Sequence, residues 1–183
     1  MKENKILVTY ATMSGSSQEI AEFVLTELQQ QSYAAEIQPC RMVKNLNAFS
    51  AVVLGTPLYM FHLHKDALRF LSRHQKALRA MPVALFAGGL YVSNTEEDRQ
   101  EVQRQMTAEL AKFPWLTPSS LLLVGGRFDP DLLRFPYNLI PALKQSEPSD
   151  LRDWNAIRDW AHSLPSLFAT QTESPVAHAR REA

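Results

Sequence analysis

The run Ala51-Val52-Val53-Leu54-Gly55 is the tightest constraint on this 183-residue chain. An unbroken apolar stretch of strand length predicts a strand buried on both faces. Comparable runs lie at Ile6–Tyr10, Pro82–Gly88 and Leu121–Gly125, with a weaker strand at Ala34–Gln38. Helical periodicity fills the gaps. Ser16–Gln31 places Ile20, Ala21, Val24, Leu25 and Leu28 on one side. Lys65–Arg79 does the same with Leu68, Leu71 and Leu78, and Asn94–Phe113 with Val102, Met106, Leu110 and Phe113. Asp150–Leu164 aligns Trp154, Ile157, Ala161 and Leu164; Pro165 is expected to end it, leaving 166–183 as a disordered tail. Such alternation makes a parallel sheet with helices on both faces, an α/β three-layer sandwich. Order 2-1-3-4-5 is the economical arrangement of five strands, and a ligand then sits beyond the carboxyl ends of strands one, three and four. Pro136 and Pro141 interrupt the apolar stretch Leu132–Lys144. The region of about 127–148 is therefore expected to be an insertion in a domain spanning 1–165, built as a broken helix or ordered loop.

Composition removes several function classes. Lys and Arg number 19 and so do Asp and Glu, a balance that argues against a nucleic-acid binder. The single cysteine, Cys40, excludes a disulfide framework, and no metal site is expected. No run reaches the roughly 18 apolar residues of a membrane helix. The charged start Met1–Lys5 leads directly into an apolar run, so no secretory leader is expected and the cytoplasm is the expected compartment.

The loop after the first strand reads Tyr10-Ala11-Thr12-Met13-Ser14-Gly15-Ser16-Ser17, opening directly into a helix. Helix-opening N–H groups and four hydroxyls suit a phosphate, and the same residues also suit an ordinary serine N-cap in a polar turn. The loop lacks the Gly-Lys-Ser/Thr of a Walker A motif and the Gly-x-Gly-x-x-Gly of a dinucleotide fold. The third-strand loop is Gly55-Thr56-Pro57-Leu58-Tyr59-Met60-Phe61-His62-Leu63-His64. The fourth-strand loop is Ala87-Gly88-Gly89-Leu90-Tyr91-Val92-Ser93-Asn94.

Val8–Val24 resembles the FMN-phosphate signature of flavodoxins, with Tyr10, Thr12, Gly15 and Ala21 at its aromatic, hydroxyl, small and alanine positions. Thr9 stands where an apolar residue is usual, and Ser17 replaces a usual Thr while keeping the hydroxyl. The resemblance implies a flavodoxin-like fold and FMN as cofactor, held by Thr12, Met13, Ser14, Gly15, Ser16, Ser17, Thr56, Pro57, Leu58, Tyr59, Gly88, Gly89, Leu90 and Tyr91. Tyr59 and Tyr91 would stack on the flavin ring. A narrower resemblance, through Gly55–Leu68, Gly125-Gly126-Arg127-Phe128 and Asp153-Trp154, is to the menaquinone-dependent protoporphyrinogen IX dehydrogenases. It implies an oxidoreductase of porphyrin biosynthesis that passes electrons from a porphyrinogen to a quinone. A flavodoxin-type electron carrier and a non-catalytic flavodoxin-like module are the alternatives.

His62 and His64 are candidates to bond the flavin or move a proton, whereas His74, His162 and His178 are expected to be solvated. Lys65, Arg69, Arg73, Lys76 and Arg79 share one side of their helix. This stripe is either a solvated face or an attraction for anionic lipid or carboxylates, which would place the protein peripherally on the inner membrane face. The insertion is a substrate lid, a membrane contact or a packed loop. Cys40 is assigned no chemistry.

Overall fold

The computed structural model describes residues 5–59, 62–89, 95–132 and 137–173. Strand β1 is Ile6–Tyr10, α1 Ser16–Gln30, β2 Ala35–Pro39, β3 Ala51–Tyr59 and β4 His62–Leu63. Then follow α2 Lys65–Leu78, β5 Val83–Gly89, α3 Glu96–Leu110, β6 Ser120–Gly125, β7 Arg127–Phe128, α4 Pro141–Lys144, β8 Ser149–Asp150 and α5 Trp154–Glu173. The five long strands run parallel in the order β2-β1-β3-β5-β6, the arrangement the alternation predicts. A sixth strand, the two-residue β4, folds back antiparallel on the end of β3 and has no periodic signal of its own.

Alternation of side chains along each buried strand produces the layers. Leu7, Val52, Leu54 and Leu85 pack against Phe70 and Leu71 of α2 and Val102 and Met106 of α3. Their neighbours Val8, Val53, Ala84 and Phe86 point the other way, onto Ile20 and Val24 of α1 and Ile157, Ala161 and Leu164 of α5. Each fully buried Leu, Ile or Phe contributes about 1.5–3 kcal/mol of transfer free energy.

The last helix corrects the expectation drawn from Pro165. It opens at Trp154 rather than Asp150, because the Asp153 carboxylate accepts the N–H groups of Asn155 and Ala156 as an N-cap. It then passes through Pro165 and continues to Glu173, so 166–173 is helix and not tail. Phe168 lies one turn beyond Leu164 on the same stripe and is buried in the α1–α5 core. Gln171 accepts a 2.6 Å bond from Ser119 at the foot of β6. Tertiary burial thus outweighs the missing proline N–H.

The expected insertion is bounded by a two-stranded ribbon: Arg127 and Phe128 of β7 pair with Asp150 and Ser149 of β8. Arg127 Nη1 donates to Glu19 Oε1 at 2.9 Å, and Arg152 Nη1 to Glu19 Oε2 at 2.7 Å. Glu19 lies in the first turn of α1, so the ribbon is tied to the helix that opens the candidate site. The Arg152 guanidinium also lies 4.7 Å from the Trp154 ring.

Candidate functional site

The strand register brings the three loops to one edge. Tyr10 is level with Gly55, Pro57 with Gly88, and Gly88 with Val124. Ala11 N–H donates to the Gly55 carbonyl at 2.9 Å, fixing the first loop to the third-strand loop. Burial raises the pKa of the Tyr10 phenol, with Glu22 adding to the effect and Arg41 opposing it.

Within the first loop, Thr12 Oγ1 accepts the Gly15 N–H at 2.9 Å. Gly15 takes φ +96°, a left-handed conformation that a side chain would strain. It occupies the N-cap position of α1, where no side chain caps the helix. The serine-cap alternative is therefore not realised, and the opening of α1 presents its positive dipole end behind an uncapped turn. Ser14 is exposed, Thr12, Met13 and Ser16 are half-buried, and Ser17 is buried.

The third-strand loop assigns its residues differently. Thr56 is fully buried, and its hydroxyl donates to the Pro57 carbonyl and accepts the His64 N–H at 3.3 Å. It braces the loop rather than projecting from it. Leu58 is buried in the α2–α3 core, so only its backbone faces the edge. Tyr59 ends β3 opposite His62. A Cβ at Gly88 would meet no atom of the described residues within 4 Å, so this point of the edge is open space among them. Gly89 pairs with Leu58 and Gly125. Leu90 and Tyr91 lie outside the described residues, as do Met60 and Phe61.

The two histidines diverge. His62 Nδ1 lies 3.1 Å from Glu109 Oε1, and Leu63 N–H donates to Glu109 Oε2 at 3.2 Å. Glu109 is 2% exposed, and Lys112 completes its partners. Burial pushes this carboxyl's pKa up, but the hydrogen bonds from Lys112, His62 and Leu63 outweigh it and hold it below the ordinary value. The carboxylate clamps β4, the return strand of the loop. His64 accepts the Asp66 N–H on Nδ1 at 3.2 Å, capping α2 as the neutral ring, and desolvation lowers its pKa. Of the histidines expected to be solvated, His162 is exposed and His74 is not. His74 is buried against the Val43 carbonyl, and His162 Nε2 lies 2.7 Å from Glu27 Oε2. His178 lies outside the described residues. Cys40 is buried, receives the Thr9 hydroxyl at 3.5 Å, and has its thiol pushed up to about 12 by desolvation, which suits the absence of any assigned chemistry.

A family model described as flavodoxin domain matches residues 7–137. The chain belongs to the flavodoxin domain family. This flavodoxin-domain chain is 21% identical over 173 residues to protoporphyrinogen IX dehydrogenase (quinone) of Escherichia coli strain K12, covering 89% of its own length and 96% of that protein. Its fold is similar to oxidised flavodoxin 1 from Bacillus cereus, with TM-score 0.53 and 13% identity, over 91% of this chain and 97% of that one. It is also similar to rubredoxin oxygen:oxidoreductase from Desulfovibrio gigas, with TM-score 0.52 and 13% identity, covering 92% of this chain and 37% of that longer one.

Proposed function

We propose that this flavodoxin-domain protein binds FMN and acts as an oxidoreductase, taking reducing equivalents from a porphyrinogen-type substrate and delivering them to a quinone. The observation that carries the cofactor is the uncapped α1 turn at Gly15, on the same sheet edge as the open space at Gly88. Similarity along 89% of the chain to a quinone-linked dehydrogenase supports the reaction class. When bound, FMN supplies the hydride and electron chemistry.

The chain's own residues bind and orient. Thr12, Met13, Ser14, Gly15, Ser16 and Ser17 hold the phosphate through backbone N–H groups and hydroxyls at the positive end of α1. Thr56 fixes the third-strand loop from inside. The flavodoxin resemblance assigns the ring to Pro57, Leu58 and Tyr59 on one side and to Gly88, Gly89, Leu90 and Tyr91 on the other. No side chain is assigned as a general base. A single-domain electron carrier is the second reading, favoured by the likeness to flavodoxin 1.

The deciding experiment saturates the protein with FMN, removes the excess and records the visible spectrum. Anaerobic protoporphyrinogen and menadione are then added. Retained flavin with loss of protoporphyrinogen supports the proposal. Retained flavin without turnover rejects the dehydrogenase in favour of the carrier, and a colourless protein rejects both. A Ser14→Asp/Ser16→Asp variant is expected to bind FMN more than tenfold more weakly by like-charge repulsion, with riboflavin affinity unchanged. Titration of both ligands checks this.

A further inference from the structure

We infer that the outer face of α2, together with the adjoining turn Cys40–Met42, is a docking surface for an anionic lipid bilayer. The inference rests on the proposed quinone acceptor only for its purpose; the surface stands on its own observations. Lys65, Arg69, Arg73, Lys76 and Arg79 are all exposed. At 100° per residue they fall in a stripe roughly 120° wide. The buried residues Ala67, Phe70, Leu71, His74 and Leu78 lie on the opposite side, so the stripe faces directly away from the core.

Solvated helix faces normally mix signs, because opposite charges three and four residues apart support the helix. Here Lys65/Arg69, Arg69/Arg73, Arg73/Lys76 and Lys76/Arg79 are all like-charge neighbours. Asp66 is the one carboxylate in this helix, 3.7 Å from Arg69. The face therefore repels itself, and an anionic surface is what relieves the repulsion.

The Cys40–Met42 turn packs against α2 through Cys40 and Val43 in the core that holds Phe70 and Leu71, with the Val43 carbonyl 3.3 Å from His74 Nε2. It adds the exposed cations Arg41 and Lys44. Between them Met42 projects with 60% of its surface exposed, although Cys40 and Val43 beside it are buried. An exposed apolar side chain flanked in sequence by Arg41 and Lys44 suits the boundary between headgroups and acyl chains. Among the described residues no helix is long and apolar enough to cross a membrane, so the contact is peripheral. His64 joins the β3–β4 loop directly to α2. Docking on this face therefore sets the candidate site beside the bilayer, where a lipid-soluble quinone resides.

The test is flotation of the full-length, FMN-treated protein with vesicles of phosphatidylcholine alone and of phosphatidylcholine with phosphatidylglycerol. Binding is expected to the anionic vesicles only, and to fall steeply with added salt. An Arg73→Gln/Lys76→Gln variant is expected to bind roughly twenty-five-fold more weakly, at roughly fivefold per cation removed. Met42→Ser is expected to weaken binding without changing its salt dependence. Indifference of the parent protein to anionic vesicles overturns the inference, as does parent-like binding by the double-cation variant. Loss of binding in a Leu139→Ser/Ile140→Ser variant, with the α2 variant unaffected, also overturns it and moves the contact to the insertion. Protein that floats with anionic vesicles but retains no flavin overturns the FMN reading and leaves the docking face standing.

Discussion

A methyl group at Gly55 would sit 2.0 Å from the Phe86 Cζ atom, and Phe86 is itself held edge-on against Trp160 with ring centroids 6.1 Å apart. The ring cannot retreat, so Gly55→Ala overpacks the sheet directly beneath the third-strand loop. A loss of about 1–3 kcal/mol is expected, read as a drop of several degrees in Tm. Titrating groups make a second prediction. Desolvation lowers the pKa values of His64 and His74 from the ordinary 6.5. A lowered folded-state pKa contributes stability above the unfolded value and loses it as pH falls through the folded one. The Glu109 carboxyl, with an ordinary value of 4.5, behaves likewise further down. Tm is therefore expected to fall in two stages on acidification, beginning near pH 6.5 and then below about pH 4.5. Thermal melts of a His64→Asn/His74→Gln variant should lack the first stage, and those of Glu109→Gln should have a weaker second. At this scale the sequence showed the hydroxyl loop and its glycine, because both are contiguous. It did not show Glu109, whose partner His62 is 47 residues away, nor that the Thr56 hydroxyl turns inward. A charged residue one position from Leu110 in an otherwise apolar stripe was the available clue.

At the scale of elements, the strongly periodic segments were legible and the exceptions have physical causes. Helix α3 starts at Glu96 because Thr95 accepts the Asp98 N–H, and Phe113, expected on its stripe, is buried just beyond its last residue. Strand β4 is two residues long and exists because β3 and Glu109 hold it. Helix α5 is the instructive case. Proline inside a helix forfeits a hydrogen bond at a cost of about 3 kcal/mol, so a local reading stops there. Burial of Phe168, to 6% exposure, carries the helix past it. Pro165→Ala is therefore expected to raise stability by about 2 kcal/mol, the helical gain less the added entropy of the unfolded chain. Urea denaturation measures it, and an unchanged or lowered midpoint would show that the proline is better accommodated than this balance supposes.

At the scale of the whole molecule, the zero net charge conceals a division. The two helices on one side of the sheet differ in sign: α2 carries four cations and one carboxylate, α3 five carboxylates and two cations. Composition argued against a nucleic-acid binder, but only the fold shows that opposite charges occupy neighbouring helices. The proposed bilayer contact uses this polarity, because attraction at α2 and repulsion at α3 fix which way the molecule faces. The β7–β8 ribbon has a different consequence. Antiparallel partners bring the two ends of the intervening segment to within about 5 Å of each other. A gap that short can be closed by a tight turn. Everything between the two strands is thus a cassette, open to exchange, lengthening or loss over evolutionary time while the parallel sheet and its three loops keep their places.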